Sequence, residues 1–270
     1  MMARRFKPGT TREDPRFPWL EEDEWFTFPP TSETSTNGVL CRGGNLSPGM
    51  LLSAYRQGVF PWFNDDDPII WWSPDPRFIL VPSELHVSST MKKLLKKRRF
   101  ELALDRSFGE VVRACSSTPR PGQTGTWITN DMIAGYERLH ELGYAHSIEA
   151  RLDSRLVGGL YGISLGSAFF GESMFSLEPD SSKAAFMPLV WTLAEAGFTL
   201  VDSQVRTAHV ESMGGRSIAR TEYLARLATA LESPTFKGDW GTVFPDFPDS
   251  APLRSLCEGR PSGVSCVSST

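Results

Sequence analysis

The sequence predicts an α+β fold, a mixed sheet with helices laid on it. Three observations predict it. Helical and strand-like periods alternate in the order β-α-β-α-β-β-β-α-β-α, which suits neither a doubly wound sheet nor a bundle. Three strand-like runs follow one another directly, at His146–Leu152, Leu156–Ile163 and Ala168–Phe175, the last two joined at Gly166. The chain has 270 residues, 40% of them apolar, enough for a sizeable core without staples.

Ser47-Pro48 caps a short apolar helix that stops at Gly58. Phe78–Val81 and Phe100–Leu104 read as strands around a helix from Ser88 to Lys97. Asn130 caps a helix carrying Met132, Ile133, Tyr136 and Leu139 and ended by Gly143. Ser181 or Ser182 caps a helix running to Gly197, with Pro188 expected in its first turns, where a missing N–H costs least. A strand over Thr199–Val205 and a helix from Thr221 to Leu231 close the pattern. Residues 1–36 read as a poorly ordered lead-in that Trp19, Trp25 and Phe26 could anchor, and the folded pattern fills the chain from there to residue 232. Residues 233–270, rich in Pro and Ser, form a disordered tail.

Charge and cysteines narrow the class. Twenty-eight basic against 32 acidic residues give a net −4, which excludes a uniformly cationic nucleic-acid coat protein but not a local basic patch. The four cysteines have no C-x-x-C spacing, so free thiols of a reducing cytoplasm fit better than disulfides. No apolar run approaches the ~20 residues of a membrane helix, and the charged N-terminus lacks a secretory apolar core. There is no P-loop, G-x-G-x-x-G or metal-ligand spacing, and His140 and His146 read as structural. Gly162-Ile-Ser164-Leu-Gly166 matches a nucleophile elbow, followed by Asp202 and His209. An elbow needs strand–Ser–helix, however, and Ser164 sits before a hairpin.

Three clusters carry chemistry instead. Lys92 to Arg99 holds six cations in eight residues. Positions 92, 93, 96 and 97 share a helical face and repel unless an anion lies against them, which points to phosphate backbone. Trp62, Trp71, Trp72 and Trp127 lie in or near loops, and indole is a stacking platform for an unpaired base. Glu172, Asp202 and Gln204 sit inside apolar strands, where a carboxylate must be paired or must do chemistry. Asp202 and Gln204, two apart, are expected on one strand face.

Phe60-Pro-Trp-Phe63, Trp71-Trp-Ser-Pro-Asp-Pro-Arg77, Gly125-Thr-Trp-Ile128, Gly171-Glu-Ser-Met-Phe175, Asp202-Ser-Gln204 and His209-Val-Glu-Ser-Met-Gly214 together resemble the leucyl/phenylalanyl-tRNA–protein transferase family, colinearly from Asn37 to Leu231. The resemblance implies a small N-terminal domain over residues 37–77 followed by a GNAT-like acyltransferase (catalytic) domain over residues 78–232. It implies transfer of leucine or phenylalanine (methionine as a further donor) from Leu-tRNA or Phe-tRNA to a protein with N-terminal Arg or Lys, marking it for N-degron degradation. The enzyme is expected to be a cytoplasmic monomer without metal or cofactor, since the donor ester is already activated. Carried over by position, Trp62 and Trp127 stack on the terminal adenosine. Leu160, Phe169, Met174, Phe186, Leu189, Leu193 and Val201 form the donor side-chain pocket. Lys93, Lys96 and Lys97 grip the tRNA backbone. Gln204 holds the attacking amine with Asp202 behind it, and Glu172 attracts the cationic acceptor. Two other readings stay open: a tRNA-binding module without transfer activity, and an acyl-CoA N-acyltransferase. Against the latter, Ser176–Ser182 lacks the glycines of a pyrophosphate loop.

Overall fold

A computed structural model describes residues 14, 16–118 and 128–258. The N-terminal unit is a three-stranded antiparallel sheet, β1 (Val39–Arg42), β2 (Phe60–Pro61) and β3 (Ile70–Trp72) in the order β1-β3-β2, with helix α1 (Pro48–Arg56). Its short strands escape sequence detection because they break at Pro61 and at the bulge between Val39 and Cys41. Residues 16–36 depart from the expected poor order. Leu20 and Phe28, not the exposed Trp19 and Trp25, anchor them in the core, and Phe26 is half-buried against it.

The second sheet has seven strands: β4 (Arg77–Leu80), β5 (Glu101–Leu104), β6 (Ala145–Leu152), β7 (Arg155–Leu165), β8 (Ala168–Ser176), β9 (Leu200–Asp202) and β10 (Arg216–Ile218). Their order is β10-β4-β9-β8-β7-β6-β5, antiparallel except between β8 and β9, so the sheet is mixed as the strand order predicts. The β7–β8 turn is Gly166-Ser167, with Gly166 at φ +57, a conformation glycine adopts without strain.

Helices α2 (Ser89–Lys96) and α5 (Ser181–Glu195) cover one face. On the other lie α1, α3 (Phe108–Ser117), α4 (Asn130–Glu141) and α7 (Arg220–Leu231). Helix α3 went unseen in the sequence, although Val111, Val112 and Cys115 give it a buried stripe. A short α6 (Ala208–Glu211) precedes β10. Thr129, one residue earlier than expected, caps α4 through its Oγ1. Asp180 stands at the N-cap of α5, so Pro188 falls mid-helix rather than in the first turns. Pro188 is itself buried there, and apolar packing on nearly every side of α5 offsets the lost hydrogen bond.

The expected tail departs most from the reading. Up to Glu258 it forms α8 (Trp240–Val243) and α9 (Ala251–Glu258), and Trp240 is fully buried. Buried Trp240 and Leu253, with Val243, Phe244 and Phe247 packed against the same core, order a stretch whose average composition argues for disorder.

Candidate active site

The site is built where two strands part. Pairing between β8 and β9 runs Ala168–Leu200, Phe169–Val201 and Phe170–Asp202, and stops there, while β8 continues alone to Ser176. The opening is kept clear by Gly171, where an added Cβ would meet only the Asp202 carbonyl at 3.8 Å. On the other side of β8 the register slips: Tyr161 pairs with Ser173 but Gly162 with Gly171. Glu172 is therefore the extra residue of a β-bulge, a device that re-aims a side chain.

Glu172 is aimed between Tyr136 and Gln204. The Tyr136 hydroxyl donates to its Oε2 at 2.7 Å and Gln204 Nε2 donates to its Oε1 at 2.9 Å. Tyr136 in turn shares a 2.7 Å hydrogen bond with Tyr55. Burial pushes the Glu172 carboxyl up to about 7, against the pull of its tyrosine hydrogen bonds. Burial also keeps the Tyr55 and Tyr136 hydroxyls neutral, well above the ordinary tyrosine value. The Gln204–Glu172 hydrogen bond thus spans the gap between the end of β9 and the middle of β8.

Asp202 is a different kind of carboxylate. It is wholly buried and accepts four hydrogen bonds: from Arg77 Nε at 2.9 Å, Arg77 Nη2 at 2.7 Å, the Tyr223 hydroxyl at 2.7 Å and the Gln204 backbone N–H at 2.9 Å. Burial alone would lower the Arg77 pKa, but the adjoining Asp202 charge reverses this and holds it above the usual arginine value. The guanidinium lies between the rings of Phe60 (4.7 Å) and Tyr223 (4.5 Å) and donates through Nη1 to the Gly58 carbonyl. Arg77 thereby ties the N-terminal unit to the central strands.

The expected common strand face for Asp202 and Gln204 does not hold. Strand β9 ends at Asp202 and Gln204 takes a left-handed φ of +55, a conformation costly for a non-glycine residue. Asp202 touches Gln204 through the backbone, and the glutamine side chain turns to Glu172. Arg77, Tyr55, Tyr136 and Tyr223 are the members of this network that sequence reasoning missed. Arg77 sits in the quoted Trp71–Arg77 motif, and a buried arginine is the natural partner for a buried aspartate.

The proposed pocket residues lie on the opposite face of the sheet. Leu160, Phe169, Phe186, Leu189, Leu193 and Val201 are each 2% exposed or less and belong to the core beneath α5, with Met174 half-buried beside them. Alternation explains the division: Leu200, Asp202 and Phe170 face one side, Val201 and Phe169 the other. The two faces meet only where β8 and β9 part.

Trp62 is half-buried and tilted against Trp72 at 5.4 Å, with the Trp72 indole donating to the Trp62 carbonyl. Trp127 lies outside the described residues. Lys92, Lys93, Lys96 and Lys97 are all exposed on and just after α2. Arg98 and Arg99 are paired with Asp249 and Glu178, whereas no acidic partner of the four lysines occurs among the described residues. Ser164 lies inside the β7 pairing with Phe169, so no elbow is present. His140 stacks on Phe108, and His146 bonds Asp105 and stacks on Trp240, both in structural settings.

Residues 79–228 match the family model described as leucyl/phenylalanyl-tRNA protein transferase, and residues 44–75 match that of its N-terminal domain. The chain is 50% identical over 225 residues to the leucyl/phenylalanyl-tRNA–protein transferase of Anaeromyxobacter sp. (strain Fw109-5), covering 83% of this chain and 96% of that one. It is 49% identical to the Syntrophus aciditrophicus (strain SB) protein of the same name, over 83% and 94% of the two chains. Against that of Nitrosospira multiformis it is 52% identical over 78% and 90%. With both units matched and about half the residues shared along nearly the whole of each relative, the chain belongs to the leucyl/phenylalanyl-tRNA–protein transferase family.

Proposed function

We propose that the protein moves leucine or phenylalanine from the 3′ end of its tRNA to the α-amine of a protein beginning with Arg or Lys, working as a cytoplasmic monomer. Family membership makes the chain an aminoacyltransferase acting on aminoacyl-tRNA and a protein. The observation that carries the site assignment is the Gln204–Glu172 bridge across the parted strands.

Because Gln204 Nε2 is committed to Glu172, its Oε1 remains to accept a hydrogen bond from the attacking amine and orient it. The amine nitrogen bonds to the ester carbonyl carbon, and the bond to the tRNA 3′ oxygen breaks. An α-amine has a reference pKa of about 7.7–8, and a carboxylate titrating near neutrality is well matched to take its proton. Glu172 is that carboxylate, and its charge also draws in the cationic acceptor. The leaving 3′ oxygen takes a proton from the neighbouring 2′-OH, and the proton that Glu172 took from the amine passes to the 2′ oxygen, which restores both the hydroxyl and the carboxylate. Asp202, saturated by four donors, is a positioning residue: it fixes the Gln204 backbone in its left-handed turn.

Phe169 and Val201 are the last apolar pair before the strands part, so the donor side chain enters the recess at that point, displacing the half-buried Met174. Trp62 stacks on the terminal adenosine, as does Trp127. Lys93, Lys96 and Lys97 contact phosphates, consistent with their exposure and lack of an acidic partner among the described residues.

The test mixes labelled Leu-tRNA or Phe-tRNA with a protein beginning in Arg. N-terminal labelling that disappears when the first residue is Ser supports the reading. Binding of tRNA without labelling overturns it in favour of a binding module.

A further inference from the structure

We propose that Trp240, beyond the residues that match the family model, sets how large a donor side chain the transferase accepts, by acting as a fixed stop behind Phe169. The inference rests on the apolar layer beneath α5 opening as the donor pocket.

Trp240 is immobilised on every side. Its backbone N–H donates to Asp105 at 2.8 Å and its indole N–H donates to the Phe236 carbonyl at 3.0 Å. The His146 ring stacks on it at 3.8 Å and 6°, and Phe244 meets it edge-on at 5.2 Å. Asp105 holds His146 as well as the Trp240 backbone, so one carboxylate fixes both stacked rings.

The indole lies 5.8 Å from the Phe169 ring, centre to centre. The tip of the Phe169 ring also covers Gly162, where a Cβ would come within 2.5 Å of Phe169 Cζ. Phe169 is thus packed onto a glycine that leaves room for its tip and against an indole that is itself fixed. A side chain entering past Val201 displaces flexible Met174 readily but finds Phe169 immovable. Donor size is then limited from behind by a residue that touches no substrate, which makes Trp240 a positioning residue for specificity.

The test compares kcat/KM for Phe-tRNA and Leu-tRNA in the full chain, wild type against Trp240→Phe. The phenyl ring keeps the stack on His146 but removes the second ring of the stop. The Phe-to-Leu ratio is expected to rise by about tenfold, the discrimination available from small changes in an apolar pocket, with affinity for uncharged tRNA unchanged. A structural role alone would lower both rates together and leave the ratio alone. Phe244→Leu, at a half-buried position, loosens the same indole from outside and is expected to move the ratio in the same direction by less. A ratio within about twofold of wild type in both variants would overturn the inference. If wild-type protein transfers neither amino acid, the pocket's function itself is refuted, a distinct outcome.

Discussion

Replacing Asp202 by Asn tests whether the buried ion pair organises the site. The change keeps shape but removes the charge opposite Arg77, which is 1% exposed. Arg77 donates to both carboxylate oxygens of Asp202, so an asparagine amide must point its own N–H₂ at an arginine N–H whichever way it is flipped. Breaking a buried pair from one side costs roughly 3–5 kcal/mol, because an uncompensated charge remains. Against a typical total of about 5–15 kcal/mol, this is a large fraction of the stability. At about 2–4 °C per kcal/mol, the melting temperature should fall by roughly 6–20 °C, read by circular dichroism with urea unfolding as a second measure. The double variant R77M/D202L alters more atoms but leaves no unpaired charge, and should be less destabilised than D202N. A D202N protein within about 1 kcal/mol of wild type would refute the claim that this pair holds the centre of the sheet.

Other outcomes follow from the same geometry. Glu172 titrates near 7 when folded and near the ordinary 4.5 when unfolded, so the native state binds the extra proton between those values. Its contribution to stability should therefore fall as pH rises through that window. Glu172→Gln should make the protein's urea-measured stability fall less over that window than wild type and slow transfer most above neutrality. Gly171→Ala adds a methyl to open space between β8 and β9. It should leave unfolding within about 0.5 kcal/mol of wild type while lowering kcat/KM. Lys96→Ala with Lys97→Ala should weaken tRNA binding and reduce the slope of log K against log salt by roughly 1–2, as expected for two lost phosphate contacts. An unchanged slope in a salt titration would remove α2 from the tRNA interface.

The sequence made the centre of the large sheet legible because β6, β7 and β8 are long, whereas the three-residue β10 gave no signal. Ala168–Phe175 and the Gly166 turn announce a hairpin on local grounds alone. What could not be read was set by non-local geometry. The bulge that singles out Glu172 exists only in the register of β7 against β8. The partners of Asp202 come from positions 125 residues upstream and 21 downstream. Alternation also failed at Gln204, since a strand that ends in a left-handed residue no longer obeys a period of two. The burial of Trp240 was lost in the composition of its surroundings, where prolines and serines outweigh one indole. The division of catalytic network and pocket between two faces follows from counting along β8 and β9, but only once their pairing is known.

Single-turnover transfer by Gln204→Ala tests the central claim, that the amide bridging the parted strands orients the attacking amine. With leucyl-tRNA and a peptide beginning in Arg at saturation, the rate should fall by about 10²–10⁴, the range for a lost orienting or proton-handling group. The dissociation constant for Leu-tRNA should stay at its wild-type value. A wild-type rate in this variant, or a loss explained wholly by weaker tRNA binding, would contradict the account.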